Sequence, residues 1–179
     1  MIRPLLIIKF GGSVITDKTK SEPKIRANII NSLSSELSQL YKSGRYKIIL
    51  VHGAGSFGHP IVKKFNLQHG MKTAEQHLAF SQTQQSMITL NNLIMKALIN
   101  QSLPVVSFTP HSFMHNSEGL LQSFDSSLIE TSLQKNHIPV LYGDAVFDNQ
   151  WNCSILSGDT IISYLASKLK ADQVIFLSD

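Results

Sequence analysis

Cysteine is nearly absent from this chain of 179 residues, with Cys153 its only one. One thiol cannot close an internal disulfide and offers no zinc-ligand spacing, so Cys153 is expected to be a buried apolar residue. Charge is also sparse: 16% of residues are charged against 42% apolar, which excludes a disordered chain and fits one domain over 1–179. Long hydrophobic runs are missing, and none approaches the roughly 18 residues of a membrane span. The apolar stretch at residues 2–8 is too short for one and lacks a small-residue cleavage site. These absences predict a cytoplasmic protein with no membrane partner.

The charge that is present divides unevenly. Residues 1–72 carry twelve Lys and Arg against three Asp and Glu, and residues 73–179 carry four against nine. The cations are scattered between apolar segments, with neither a basic helix nor the aromatic interleaving of an RNA-binding sheet, so a small anionic ligand is expected rather than nucleic acid.

Short β-rich runs alternate with helical patterns, which predicts an α/β fold: a three-layer αβα sandwich with a mostly parallel central sheet. Strands are expected at Leu5–Phe10, Lys47–Val51, Pro104–Thr109, Ile138–Tyr142 and in the apolar run ending at Leu177. Ile25, Ile29, Leu33, Leu37 and Leu40 recur at helical spacing, with Ser21 and Pro23 as start signals and Gly44 as a stop. Further helices are expected after Pro60, over 74–99, over 126–135 and from Gly158, with a hairpin within 146–156 and a loop between Pro110 and Gly119.

Two glycine-rich turns follow buried strands: Gly11-Gly12-Ser13, and the loop running from His52 through Gly53, Ala54, Gly55, Ser56, Phe57 and Gly58 to His59. Glycine lets backbone N–H groups approach a phosphate, and each turn has a basic neighbour, so two phosphate sites are expected. Gly53, Gly55 and Gly58 match the dinucleotide fingerprint, but the acidic residue expected about 20 positions on is lacking, since Glu75 opens a helix. A nucleophile elbow at Ser56 would need Asp125 and His137 as partners brought together only by folding. Lys9 lies inside an apolar strand, where an unpaired ammonium is costly, so it is expected to face an anion. Asp159 reads either as a helix N-cap or as the partner of Lys9, and His59 either as a helix cap or as a ligand to an anion. His111 and His115 stand four apart without a carboxylate or cysteine at metal-ligand spacing, so no protein-held metal is expected.

Together Lys9-Phe10-Gly11-Gly12-Ser13, the loop from His52 to His59, Ser157-Gly158-Asp159 and Phe176-Leu177-Ser178-Asp179 resemble the motifs of the amino acid kinase superfamily, in its order and across nearly the whole chain. The loop ending in Ser-Phe-Gly-His is most similar to that of isopentenyl phosphate kinases, with fosfomycin kinases as the alternative. The resemblance implies transfer of the γ-phosphoryl group of ATP, carried with Mg²⁺, to isopentenyl phosphate by a cytoplasmic homodimer. It implies that Lys9 touches the transferring group, Lys18 stabilises its charge and Asp159 orients Lys9. It further implies that Gly11, Gly12, Ser13, Gly55 and Asp179 bind ATP, and that Ala54, Gly55, Gly58, His59 and Gly158 hold the acceptor. Phe80 or Met87 would supply a wall for its tail. Members continue beyond the Leu-Ser-Asp strand end, so the chain is expected to lack a C-terminal nucleotide-binding segment. A catalytically silent binding or dimerisation module is the corresponding alternative.

Overall fold

Leu5–Phe10 and Lys47–His52 are apolar over almost their whole length because they lie side by side in a parallel sheet covered on both faces. The computed structural model describes residues 3–17, 19 and 22–178. In chain order the elements are β1 (Leu5–Phe10), α1 (Gly12–Ile15), β2 (Thr16–Asp17), β3 (Lys24–Ile25), α2 (Ala27–Lys42), β4 (Lys47–His52), α3 (Gly55–Phe65) and α4 (Ala74–Asn100). There follow β5 (Val105–Ser107), β6 (Asn116–Ser117), β7 (Leu120–Leu121), α5 (Ser127–Gln134), β8 (Ile138–Tyr142), β9 (Asp144–Asp148), β10 (Asn152–Leu156), α6 (Gly158–Leu169) and β11 (Gln173–Leu177).

The main sheet has the order β11-β1-β4-β8-β5, with every pairing parallel. Alternate residues of its strands enter different layers, as the strand period of two requires. Leu6, Ile8, Phe10, Ile48 and Leu50 pack with Ile30 and Leu37 of α2 and with Met87, Leu90, Ile94 and Leu98 of α4. Leu5, Ile7, Ile49 and Val51 pack with Ile129 and Leu133 of α5 and with Ile161, Ile162 and Leu165 of α6. The expected α/β sandwich is thus observed, and each fully buried Leu or Ile contributes about 1.5–3 kcal/mol through removal from water. Cys153, fully buried, packs in a smaller cluster with Leu67, Met71, Ala79 and Phe80. No helix among the described residues is long and apolar enough to cross a membrane.

Four expectations need correction. The helix with the Leu33 and Leu37 spacing begins at Ala27, because Ile25 pairs with Thr16 in the short β2–β3 ribbon; its expected start signal Ser21 lies outside the described residues. The helix assigned to Pro60 begins five residues earlier, at Gly55, with Pro60 inside it. A proline beyond the first turn forgoes one helical hydrogen bond, but Gly55, Ser56, Phe57 and Gly58 are all buried, and tertiary packing holds that turn helical. The segment between Pro110 and Gly119, read as a loop, contributes β6 to a second sheet of order β10-β9-β6-β7. That sheet also takes in the predicted hairpin, which starts at Asp144 rather than 146.

α4 matches its expected span within a residue. Thr73 caps it, with Gln76 N–H donating to Thr73 Oγ1 at 3.2 Å and Thr73 N–H to Gln76 Oε1 at 3.3 Å.

Candidate active site

The carboxyl ends of β1, β4 and β8 run directly into Gly11, Gly53 and Gly143, and all three glycines line one cavity of about 240 Å³. Ligands of open parallel sheets gather at this edge because the strands end there and the helix N-termini begin. Backbone bonds carry the strand pairing into the turns: Gly53 N–H donates to the Phe10 carbonyl at 2.9 Å, Gly143 N–H to that of His52 at 3.1 Å and Gly11 N–H to that of Leu177 at 2.9 Å. The turns are therefore extensions of the sheet.

The two glycine loops touch through bare backbone. A Cβ on Gly53 would lie 2.7 Å from the Gly12 amide nitrogen, and a Cβ on Gly12 would collide with that of Gly55. Gly55 itself has φ +50°, a left-handed conformation that costs an L side chain roughly 1–2 kcal/mol. Gly11, Gly12, Ser13, Ala54, Gly58, His59 and Gly158 all line the cavity. Gly55 does not; it is buried behind the wall against Thr16, so its glycine requirement comes from packing between the loops.

Lys9 reaches the cavity from an interior strand of the sheet, since β1 lies between β11 and β4. Its Nζ stands 2.6 Å from Asp159 Oδ1, in the first turn of α6. Of the two readings of Asp159, partnership with Lys9 is the one observed; the N-cap is Ser157, whose Oγ accepts from the Thr160 N–H at 3.0 Å. His59 is exposed on α3 and lines the same cavity. Lys18 and Asp179 lie outside the described residues.

The elbow reading fails on geometry. Ser56 is 7% exposed and does not line the cavity, while Asp125 is engaged by the backbone N–H and hydroxyl of Ser127 at 2.9 Å each. Of the two residues suggested as a tail wall, Met87 lines the cavity with Val62 and Ile155. Phe80 packs instead against Phe147, with ring centroids 5.2 Å apart.

Sequence reasoning missed Asp144. The residue borders the cavity, and its fully buried carboxylate accepts from Ala145 N–H at 2.9 Å and meets His111 Nδ1 at 2.6 Å. Burial pushes its pKa up, and the hydrogen bond and charge of His111 oppose that shift. A carboxylate directly after an apolar strand and a glycine was the available signal; the partner, 33 residues away, left none. His52 is fully buried, stacks on Tyr142 at 5.2 Å and lies 3.3 Å from Asn91 Oδ1. Burial lowers its pKa to about 4, against weaker raising by hydrogen bonds to Gly53 and Asn91, so the ring is neutral at pH 7.

The family model of the amino acid kinases matches residues 4–179. The isopentenyl phosphate kinase of Methanocaldococcus jannaschii is 36% identical over 184 residues, covering 98% of this chain and 69% of that protein. The one from Methanothermobacter thermautotrophicus is 33% identical over 181 residues, covering 98% and 67%. A crystal structure of an isopentenyl phosphate kinase superposes with a TM-score of 0.92 at 33% identity, covering 98% of this chain and 73% of the other. The product complex of the Thermoplasma acidophilum enzyme gives 0.83 at 30%, covering 98% and 70%. The chain belongs to the amino acid kinase family, among its isopentenyl phosphate kinases.

Proposed function

We propose that the protein transfers the γ-phosphoryl group of ATP to isopentenyl phosphate, giving isopentenyl diphosphate and ADP in a variant of the mevalonate pathway. One observation carries the reading: a single cavity brings Gly11–Ser13 together with Ala54, Gly58 and His59 around the Lys9 ammonium. Two phosphate-binding surfaces facing one cation are what phosphoryl transfer between two phosphates requires.

The chemistry asks little of the protein beyond placement and charge. A phosphate monoester has a second pKa near 6, so its oxygen is already anionic at pH 7 and attacks the γ-phosphorus without a general base. As that bond forms, the bond from the γ-phosphorus to the bridging oxygen of ADP breaks, and negative charge spreads over the equatorial oxygens. Lys9, held by Asp159, would neutralise it. The backbone of Gly11–Ser13 would cradle the donor phosphates, and the N-terminus of α3 with His59 would hold the acceptor phosphate. Val62, Met87 and Ile155 give the same cavity an apolar lining suited to a prenyl tail. Lys18, Gly158 and Asp179 keep the roles that the resemblance implies, and Gly55 serves only to let the two loops pack together. Mg²⁺ would arrive on ATP, held by phosphate oxygens and water, while Asp159 and Asp144 stay engaged by Lys9 and His111. The same reading has the enzyme work as a cytoplasmic homodimer on small molecules.

The test combines calorimetric titration with isopentenyl phosphate and a phosphoryl-transfer assay with MgATP, with fosfomycin as the competing acceptor. Binding and turnover of isopentenyl phosphate that weaken in His59→Ala, with no response to fosfomycin, are expected. A folded protein that phosphorylates fosfomycin instead, or binds neither, would overturn the assignment.

A further inference from the structure

Thr16 is fully buried, and its hydroxyl touches both glycine loops at once. Oγ1 donates to the Gly12 carbonyl at 2.6 Å and accepts the Ser56 N–H at 2.9 Å. A hydroxyl has one proton and two lone pairs, so both bonds form together without competition. The Gly12 carbonyl also receives the backbone N–H of Thr16 and so holds the residue twice. Ser56 is the second residue of α3, and its N–H has no acceptor within the helix. Thr16 takes up that donor and thereby sets where the helix N-terminus sits relative to the β1 turn.

The surroundings leave no slack around this contact. The Gly12 and Gly55 backbones are so close that a Cβ on either would strike the other loop, and the bare α-carbon of Gly55 faces the Thr16 side chain. Val14 and Ile15 donate to the Gly11 carbonyl at 3.0 and 3.1 Å, which makes the turn containing Gly12 rigid. Thr16 also begins β2 and pairs there with Ile25 of β3.

We infer that Thr16 is a positioning residue: its hydroxyl joins the donor-phosphate loop to the acceptor-phosphate loop and fixes the distance over which the phosphoryl group travels. The inference rests on the proposed reading of the two loops as donor and acceptor sites. Thr16 does not line the cavity and touches neither substrate, so its effect runs entirely through Gly12 and Ser56. Removing the hydroxyl lets two binding surfaces drift apart while each still binds its own phosphate, so the loss belongs in kcat rather than in KM.

The experiment compares wild type, Thr16→Val and Thr16→Ser. Valine keeps the shape without the hydroxyl, and serine keeps the hydroxyl without the methyl. For isopentenyl phosphate and ATP, kcat of Thr16→Val is expected to fall about 10- to 100-fold, the usual cost of a small misplacement. Both KM values should stay within a few-fold, and Thr16→Ser should recover most of the rate. A valine variant with wild-type kcat, a loss confined to the KM of one substrate, or a serine variant as defective as valine would each overturn the inference. The wild-type protein supplies an independent readout: the Ser56 amide should exchange with deuterium as slowly as interior strand amides, and exchange at the rate of an open helix end would overturn it. This second readout needs no turnover. A protein inactive toward isopentenyl phosphate but protected at Ser56 would therefore refute the substrate assignment and leave the junction of the loops standing.

Discussion

The Lys9 ammonium and the Asp159 carboxylate, 150 residues apart in the chain, meet at 2.6 Å where the end of β1 faces the first turn of α6. Lys9 is largely shielded while Asp159 is 59% exposed, so the pair orients the lysine more than it stabilises the fold. Asp159→Asn should lower kcat about tenfold or more through misplacement of the ammonium. Its melting temperature should stay close to wild type. Steady-state kinetics beside a thermal melt check this, and a large loss of stability with intact kcat would make the pair structural.

His52 gives the protein an acid-sensitive core. Its pKa is lowered from 6.5 to about 4 by burial, so between these values the unfolded chain binds a proton that the folded protein refuses. The stability it contributes is complete above pH 6.5 and declines as pH falls toward 4, by about 3 kcal/mol for a shift of this size. Urea titrations from pH 7 to pH 4 should show that decline in the wild type and its absence in His52→Gln. Equal slopes in the two proteins would refute it.

Asp148 organises the turn of the second sheet. Its Oδ1 accepts from the N–H groups of Glu118, Gln150 and Trp151 at 3.1, 2.9 and 3.0 Å, and Oδ2 accepts from Gly119 at 2.8 Å. Burial opposes the charge, but these bonds outweigh it and bring the pKa down to about 2. The carboxylate therefore contributes stability above the ordinary pKa of 3.8, and that contribution is lost as pH falls to about 2. Asp148→Ala, which leaves the amides without their acceptor, should destabilise the protein by about 2–3 kcal/mol at pH 7. Denaturant titrations at pH 7 and pH 2.5 should show the gap between variant and wild type shrinking in acid.

Met87 is fully buried and lines the cavity. Met87→Ala should enlarge it at a cost of about 2–5 kcal/mol in stability. Competition between isopentenyl phosphate and a longer prenyl phosphate should shift toward the longer acceptor by about tenfold in kcat/KM. An unchanged ratio in a folded variant would assign Met87 to core packing alone.

The sequence by itself determined the sandwich and most of its strands, because burial on both faces writes a strand as a nearly continuous apolar run, as in Leu5–Phe10 and Ile138–Tyr142. It also determined the two glycine turns and the oddity of Lys9 within an apolar strand, since both are local departures from pattern. Tertiary structure alone decided what depends on groups distant in the chain. It chose the Asp159 partnership over a simple cap, paired His111 with Asp144 and set the Thr16 hydroxyl between two loops, because no local signal records which buried polar groups meet. It also started α3 at Gly55 despite Pro60, where the packing of the first turn outweighs the one helical hydrogen bond that a proline forgoes.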